Sequence, residues 1–371
     1  MILTKSQTGE IKVILSDLDH LRNDPMVRFK TEIVEGKSYT IISYMIADKA
    51  YWDTPLADET RGITFETDTG KCVSRPFVKF FNVSERSDTD SATVARDFVE
   101  CYEKRDGSML TPIITQNGNI VFKTKKSFYS DVANQANNLA TISIKNFCRI
   151  CLGVYDSTPI FEFTHPDHRI VLDYPGESHF TLLAIRQNDS GDYLEYDTME
   201  SFATESGIPV IKKFDLTWDE IQRSIENDKG IEGYVLLLKD GRRVKYKTDW
   251  YLEQHLLRTE VRVRDIAESV ANGTIDDFKS SFVLAELPIE EIEEIEKQVT
   301  GEIAKICSDV VFIAREFIGK SFKDAAVTLK GSEYFSLVMS ELRGKEPNYI
   351  DFWKKNFLRL YPLRSLINRK F

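Results

Sequence analysis

Residues 101–108 read CYEKRDGS, and this stretch indicates the fold and the chemistry more clearly than any other part of the chain. Lys104 is followed two residues later by Asp106 and Gly107, a pair that favours a tight turn. A lysine held beside such a turn can point its amine into a pocket and act as a nucleophile. The alternative is a plain hairpin turn, in which the lysine has no chemical role.

The pattern of strands and turns on both sides of this stretch predicts an α+β domain. Between residues 27 and 251, short runs rich in β-branched and aromatic residues are bounded by turn residues, as in antiparallel strands. Two connections, 116–119 and 239–242, contain the Asn-Gly and Asp-Gly pairs of tight hairpins. Helices packed on antiparallel sheets are therefore expected. The helical patterns lie at 91–99, 130–149 and 217–227.

The C-terminal part of the chain has a different period. After residue 254, apolar residues recur at spacings of three and four, which predicts helices, and almost nothing has the pattern of a strand. We therefore expect two domains, residues 1–254 and an all-α domain of residues 255–371. The predicted helices of the second domain cover 262–271, 290–318, 322–330, 333–343 and 350–361.

The net charge of −10 is unevenly distributed along the chain. Residues 341–371 contain eight basic and three acidic residues, so eight minus three gives this tail a net charge of +5. A locally basic surface can bind a polyanion even on an acidic protein. The alternative is a solvated helix surface that has no partner.

The composition is that of an ordinary globular protein, with 42% hydrophobic and 29% charged residues. The sequence contains no run of about 18 apolar residues, and its first residues lack a signal pattern. We therefore expect no membrane partner. Five cysteines in 371 residues fit reduced thiols in a cytoplasmic protein.

Further motifs accompany Lys104 in a fixed order. FEF at 161–163, IEGY at 231–234 and KYK at 245–247 follow it. This order is similar to that of the covalent nucleotidyltransferases, which comprise DNA ligases, RNA ligases and mRNA-capping enzymes. Finer motifs resemble the bacteriophage RNA ligase 1 family, the tRNA-repair ligases of T-even-like phages, over roughly residues 35–280. These finer motifs are ETRGI at 59–63, SRPFVKFFN at 74–82, FKTK at 122–125 and TDWY at 248–251.

The resemblance implies a nucleotidyltransferase domain of the ligase type, with ATP-grasp-like antiparallel sheets and helices. In DNA ligases and capping enzymes this core is followed by an oligonucleotide-binding β-barrel. The helical pattern after residue 254 departs from that arrangement. It agrees with the RNA ligase 1 type, whose C-terminal domain is helical.

A lysine nucleophile must lose its proton, because its amine has a reference pKa of about 10.4. Nearby cations and burial both favour the neutral amine. Lys245 and Lys247 lie two residues apart and therefore on one face of a strand, where they could act on Lys104 and hold phosphates. The alternative for this pair is an exposed strand face. Further candidates for the same role are Lys79, Lys123 and Lys125.

The resemblance implies further roles around a bound nucleotide. Glu232 would hold a divalent metal or its waters, and Glu162 would contact the ribose or a metal. Mg²⁺ or Mn²⁺ would then neutralise the charge that builds up on the α-phosphate. The backbone of Glu103 would read the base edge, and ATP rather than GTP follows from the family alone. The remaining assignments are Arg61 near the phosphates, Tyr251 near the nucleotide, and Asp276 and Asp277 for a second metal. For the aspartate pair, the alternative is the ordinary preference for acidic residues at a helix start.

A zinc site is a competing hypothesis. Cys148 and Cys151 are followed, after thirteen residues, by His165 and His168, which is close to zinc-finger spacing. The histidines are closer together than in most such sites, and the intervening FEF at 161–163 is a core strand in the ligase resemblance. The cysteines also lie on an apolar helical pattern, where they are expected to be small core residues.

We therefore predict an ATP-dependent RNA ligase that works in three steps. Lys104 attacks ATP to give lysyl-AMP, AMP moves to an RNA 5′-phosphate, and an RNA 3′-hydroxyl then expels the AMP. By resemblance the RNA is a tRNA broken in its anticodon loop. We expect a monomer, acting in the bacterial host cytoplasm if a phage encodes it. Two alternatives stay open: a capping-type guanylyltransferase that uses GTP, and a non-catalytic RNA-binding protein of the same fold.

Overall fold

The structure is a computed structural model that describes residues 13–24, 26–45, 51–176, 179–258, 262–284, 289–345 and 347–362. The side chains at 255–258, 277, 281, 283 and 284 lie outside this description. The chain divides into two compact units. Most of the chain up to Gln254 forms the first unit, whereas Asn23–Val27 and Met45–Asp53 join the residues from His255 onward in the second. The division into domains 1–254 and 255–371 stays a prediction.

The first unit contains three four-stranded sheets among the described residues. Their strand orders are β1-β2-β3-β4, β10-β5-β11-β12 and β7-β6-β8-β9. The strands are β1 Val27–Val34, β2 Lys37–Tyr44, β3 Arg61–Glu66, β4 Cys72–Ser74, β5 Phe98–Lys104, β6 Ser108–Ile114, β7 Ile120–Lys123, β8 Ser157–Phe163, β9 Phe180–Gln187, β10 Lys213–Phe214, β11 Gly233–Leu238 and β12 Arg243–Lys247.

The sheet β10-β5-β11-β12 carries the predicted nucleophile. Strand β5 ends at Lys104, and the antiparallel register places Gly233 of β11 opposite both Lys104 and Lys247 of β12. The face that carries Cys101 and Leu236 is apolar and packs on helices α1 (Ser91–Asp97) and α5 (Trp218–Asn227). Because side chains alternate along a strand, the two lysines point to the opposite face.

The sheet β7-β6-β8-β9 supplies the other part of the site. Phe161 and Phe163 of β8 are buried in a core that also contains Phe147. Each such fully buried side chain stabilises the fold by about 1.5–3 kcal/mol. Glu162 lies between the two phenylalanines, and alternation directs it to the face away from this core. Helices α2 (Asp131–Leu139), α3 (Ile142–Tyr155) and α4 (Tyr196–Glu205) contribute to the same core.

The second unit is helical, which confirms the predicted fold class of an α+β domain followed by an all-α region. Its longest helix places Ile292, Val299, Ile303 and Val310 in the core at helical spacing, and none of these side chains is exposed. The helices that the structure describes include none with both the length and the hydrophobicity of a membrane-spanning segment. The remaining helices, from the end of the first unit onward, are α6 Asp249–Arg258, α7 Val263–Asn272, α8 Ile275–Leu284, α9 Glu290–Arg315, α10 Phe322–Thr328, α11 Phe335–Leu342 and α12 Tyr349–Asn356.

Candidate active site

A buried carboxylate fixes the turn that follows Lys104. Both oxygens of Asp106 are engaged: Oδ2 accepts hydrogen bonds from the backbone N–H groups of Val171 and Leu172, each at 2.7 Å. The hydroxyl of Tyr251 donates to Oδ1 at 2.9 Å. A carboxylate with three donors is rigidly oriented. Asp106 therefore holds the turn, and Tyr251, which was predicted near the nucleotide, supports the turn through it.

The two neighbours of Asp106 are equally constrained. The guanidinium of Arg105 lies over the ring of Tyr174, 4.1 Å from its centroid. The hydroxyl of that tyrosine accepts a hydrogen bond from the N–H of Asp106 at 2.9 Å. A Cβ atom on Gly107 would lie 2.6 Å from the carbonyl oxygen of Phe163. Only glycine fits there, because a backbone atom cannot move aside as a flexible side chain can.

Lys104 and Lys247 share one carboxylate oxygen. Oε1 of Glu232 lies 2.7 Å from Nζ of Lys104 and 3.3 Å from Nζ of Lys247. Glu232 and Lys247 are both buried, whereas the side chain of Lys104 is 19% exposed. The next residue, Gly233, has φ +142°, and a Cβ there would lie 2.1 Å from the carbonyl oxygen of Tyr246. The close approach of β11 and β12 at this glycine brings the three side chains together.

Glu162 faces the same group of charges. Burial raises the pKa of its carboxyl group to about 8, against the influence of the Lys104 ammonium group. The carboxylates of Glu232 and Asp106 add to the rise, because like charges disfavour ionisation. A carboxyl group with such a pKa is ready to exchange its proton for a cation. The structure therefore brings Lys104, Lys247, Glu162 and Glu232 into one site.

The two glutamates fit a divalent cation. Oε2 of Glu232 is buried and has no hydrogen-bond partner within the described part of the chain. Among the described side chains, no group of three or more His, Cys, Asp or Glu residues could hold a metal by itself. Mg²⁺ commonly takes one or two carboxylates and completes its octahedron with waters and substrate phosphates. Glu162 and Glu232 meet that pattern, and a substrate would supply the other oxygens.

A second group of cations surrounds Tyr44, the last residue of β2. Nζ of Lys125 lies 3.1 Å from the centroid of the Tyr44 ring, and Nζ of Lys79 lies 6.0 Å from it. Burial is the main reason that the pKa of Lys125 falls to about 8, and the nearby Arg61 guanidinium contributes to the fall. Arg61 donates from Nη1 to the carbonyl oxygen of Val78 at 2.9 Å, while its buried Nε has no hydrogen-bond partner among the described residues. No sequence motif pointed to Tyr44.

Three predicted site residues lie in surroundings that restrict their roles. Lys123 is fully buried, its Nζ donates to the carbonyl oxygen of Gly62 at 2.6 Å, and burial lowers its pKa to about 7. Its role as a phosphate ligand stays a prediction, and in this geometry the ammonium group binds the Gly62 carbonyl oxygen instead. The backbone N–H of Glu103 donates to the carbonyl oxygen of Lys212 at 2.9 Å. The backbone of Glu103 could therefore contact a base only through its own carbonyl group. The backbone of Lys245 pairs with the segment 81–83.

The predicted second metal site and the zinc hypothesis concern other parts of the chain. Asp276 lies in the first turn of α8 in the helical unit, and the Asp277 side chain is outside the described residues, so this pair stays a prediction. Cys148 and Cys151 are buried among apolar side chains of α3 and neighbouring strands. Burial raises the pKa of both thiols, which disfavours the thiolate that zinc requires. The described cysteines and histidines form no metal-binding group of three or more.

Comparison with known proteins gives a consistent result. The family model described as RNA ligase matches residues 59–251, which include Lys104 and every predicted site residue except the aspartate pair. A protein of Thermovibrio ammonificans named as an RNA ligase is 30% identical over 271 residues, which are 67% of this chain and 70% of that protein. RNA ligase 1 of Bacteriophage TS2126 is 26% identical over 234 residues, 58% of this chain and 56% of the phage protein.

Comparison with solved structures shows which known fold the chain resembles. An archaeal ATP-dependent RNA ligase superposes with a TM-score of 0.52 and 16% sequence identity. The superposition covers 81% of this chain and 79% of the archaeal chain. At this identity the likeness concerns the fold alone.

Proposed function

This chain belongs to the RNA ligase family, and from that premise we propose that it uses ATP to join an RNA 5′-phosphate to an RNA 3′-hydroxyl through AMP bound covalently to Lys104. The observation that carries the proposal is the placement of Lys104. Lys104 is the last residue of β5 and lies beside a turn fixed by Asp106. Its amine lies 2.7 Å from the buried carboxylate of Glu232, which also binds Lys247. The substrate is RNA, because the family consists of RNA ligases.

In the first step, Nζ of Lys104 attacks the α-phosphorus of ATP. An N–P bond forms, the bond from the α-phosphorus to the bridging oxygen breaks, and pyrophosphate leaves with the bonding electron pair. Lys245 and Lys247 lie on the same strand face and supply positive charge where the α-phosphate becomes more negative. The cations around Tyr44 provide a place for the departing phosphates. Such a reaction depends mainly on in-line positioning and charge neutralisation.

Glu162 and Glu232 would hold Mg²⁺ or Mn²⁺. Such a cation, when bound, neutralises charge on the α-phosphate and competes with Lys104 for the Glu232 carboxylate. The ion pair with Glu232 holds Lys104 in place but also keeps its amine engaged. Lys104 must leave that ion pair and lose its proton before it can attack. The remaining partner of Glu232, Lys247, keeps the carboxylate in position while this happens.

The second and third steps reuse the same site. The 5′-phosphate of RNA attacks the phosphorus of lysyl-AMP, which releases the Lys104 amine and gives an RNA-adenylate. The 3′-hydroxyl of the second RNA end then attacks the 5′-phosphate. A new O–P bond forms, the anhydride bond to AMP breaks, AMP leaves with the bonding electron pair, and the hydroxyl proton passes to solvent. Lys104 takes up a proton when it departs and is restored for another cycle.

We further propose that the natural substrate is a nicked tRNA and that residues 255–371 act as the RNA-recognition domain. The described tail residues Arg343, Lys345, Lys354, Lys355 and Arg359 support this idea, because clustered bases bind phosphates without reading sequence. A monomer in the cytoplasm of a bacterial host, if a phage encodes the protein, completes the proposal.

The proposed function is tested by nucleotide choice and by sealing. The protein is incubated with Mg²⁺ and either labelled ATP or labelled GTP, denatured, and examined for bound label. A separate reaction supplies a single-stranded RNA with a 5′-phosphate and a 3′-hydroxyl and measures its joining. We expect label from ATP and joined RNA. Label from GTP would favour a capping-type guanylyltransferase, and no label with intact RNA binding would favour a non-catalytic RNA-binding protein.

A further inference from the structure

A buried carboxylate, Glu59, binds two buried arginines. Its Oε1 lies 2.7 Å from Nη2 of Arg75 and 2.8 Å from Nη2 of Arg186, and its Oε2 accepts from Nη1 of Arg186 at 2.9 Å. The three side chains are only 4–5% exposed. Burial alone would raise the pKa of Glu59, but the two guanidinium groups hold it below its ordinary value. One anion and two cations thus share an interior position, where charges are costly unless paired.

The arginines use their other donors on backbone carbonyl oxygens. Arg75 donates from Nη1 to Asp189 at 2.7 Å, and Arg186 donates from Nη1 to Pro76 at 2.6 Å and from Nε to Gly191 at 2.8 Å. A Cβ atom on Gly191 would lie 2.6 Å from the Arg75 guanidinium, so the turn there is shaped around the arginine. The cluster therefore fixes backbone positions and not only charges.

Two of the fixed segments carry the predicted phosphate ligands. Residues 57–61 end at Arg61, and residues 75–79 end at Lys79. The segments are joined at three places: Glu59 binds Arg75, the N–H of Lys79 donates to the carbonyl oxygen of Asp58 at 2.8 Å, and Arg61 donates to that of Val78 at 2.9 Å. Glu59 lies two residues before Arg61, and its contact with Arg75 joins the two segments.

We propose that Glu59 is a positioning residue for the ATP triphosphate, acting through Arg61 and Lys79. The inference rests on the proposed function, because it requires that these two cations bind the phosphates of ATP. Glu59 does not touch ATP. Its carboxylate sets the distance between the two segments, and that distance sets where the two cations point. If the cluster served only stability, changing Glu59 would leave the KM for ATP of the folded protein unchanged.

The test uses Glu59→Asp in the full-length protein. Aspartate keeps the charge but shortens the side chain by one methylene, so the two segments shift. We expect the ratio kcat/KM for self-adenylylation to fall by at least about tenfold, chiefly through KM for ATP. In a background that lacks both cations, Arg61→Ala with Lys79→Ala, the same substitution should cost less than about twofold, because a residue that acts through others loses its effect when they are gone. The control is Glu66→Asp, which shortens a carboxylate at the other end of β3, 2.5 Å from Lys37.

The outcomes separate this inference from the proposed function. If the wild-type protein takes no AMP from ATP, the proposed function fails first. If the wild type is adenylylated and Glu59→Asp has an unchanged KM for ATP, the positioning role is refuted. The role would also be refuted if the cost of Glu59→Asp simply multiplied with the cost of removing Arg61 and Lys79 together. Should Glu59→Asp not fold, Arg186→Lys replaces it, since lysine keeps the charge but cannot bridge Glu59 and Pro76. Loss of folding in both variants would assign the cluster to stability alone.

Discussion

Three carboxylates lie near Lys104, and their surroundings give them different roles. Asp106 has both oxygens filled by hydrogen-bond donors, so it is a support of the turn. Glu232 bridges two ammonium groups through one oxygen and keeps the other without a hydrogen-bond partner among the described residues. The pKa of Glu162 is raised, chiefly because its carboxyl group is buried. The two glutamates have capacity left for a cation, and the aspartate has none.

The raised pKa of Glu162 predicts a pH-dependent stability of the metal-free protein. With a pKa of about 8 in the folded state and an ordinary value of 4.5, the folded protein keeps a proton that the unfolded chain has lost. Stability should therefore fall as pH rises between these values, by up to about 1.4 kcal/mol per pH unit. The Glu162→Gln side chain cannot ionise, so this variant should lose less stability between the same two pH values. Urea unfolding in EDTA at pH 6 and pH 8 measures both proteins, and equal losses would contradict the assignment.

At the residue scale the sequence predicts the residues that carry motifs but not their supports. Lys104, Glu162, Glu232 and Lys247 are predicted because each lies in a short motif with a chemical reason for its residue type. Tyr44 and Tyr174 are missed, as is the pairing of Glu59 with two arginines. Their roles depend on contacts between residues far apart in the chain, and no local pattern records such contacts. The burial of Lys123 is also missed, because exposure cannot be read from a single lysine in the sequence.

At the scale of elements, the hairpin of β11 and β12 connects the fold with the site. Gly233 begins β11 in a conformation that side chains rarely adopt, and it lies directly against the backbone of Tyr246 and Lys247. This contact lets Glu232 reach the lysine of the neighbouring strand. The Asp-Gly turn at the other end of the hairpin was predicted, whereas strand β5 was not. Only Cys101 of β5 is buried, so the strand lacks a clear alternation of apolar and polar residues.

Two glycines of this hairpin make a matched pair for mutation. Gly233→Ala should destabilise the protein by at least about 2–3 kcal/mol and abolish adenylylation, because its Cβ would lie 2.1 Å from a carbonyl oxygen. Gly241→Ala, in the turn, also has a positive φ of +83° but meets nothing within 4 Å. It should cost about 1–2 kcal/mol and leave adenylylation intact. Thermal melts and label incorporation measure both. Equal effects would show that the close contact at Gly233 is unimportant.

At the scale of the whole molecule, chemistry and proposed RNA recognition belong to different parts of the chain. The residues around Lys104 all precede Gln254, whereas the bases of the C-terminal tail follow Ser340. The α+β core and the helical region were both predicted from periodicity, since long stretches average out local exceptions. Helix α8, Ile275–Leu284, was not among the predicted helices and entered only as the alternative for the Asp276–Asp277 pair. It is short, and only three of its described side chains, at positions 275, 278 and 282, are buried.

If chemistry and RNA recognition belong to different parts of the chain, removing exposed bases from the C-terminal tail should affect RNA binding but not adenylylation. In the triple variant Lys345→Ala, Lys355→Ala and Arg359→Ala, self-adenylylation should stay within about twofold of wild type. Affinity for nicked tRNA should fall, and each lost phosphate contact should lower the salt slope of log K by about 0.7–0.9. Joining of nicked tRNA should fall more than joining of a plain single strand.

The matched control removes the same charge from the first unit. Lys71, Arg223 and Lys229 are exposed and lie outside the site, so their replacement by alanine changes net charge equally. This variant should keep the wild-type salt slope. An equal loss of tRNA affinity in both triple variants would indicate a general charge effect and would argue against a dedicated RNA surface in the helical region.

The measurement that tests the central claim most directly is the chemical location of AMP. Wild-type protein is incubated with Mg²⁺ and labelled ATP, digested under conditions that preserve the phosphoramidate bond, and analysed by peptide mass spectrometry. AMP should be found on Lys104, and Lys104→Arg should take up none, because arginine stays protonated and cannot become a neutral nucleophile. AMP on another residue, or undiminished labelling of Lys104→Arg, would contradict the assignment of Lys104 as the nucleophile.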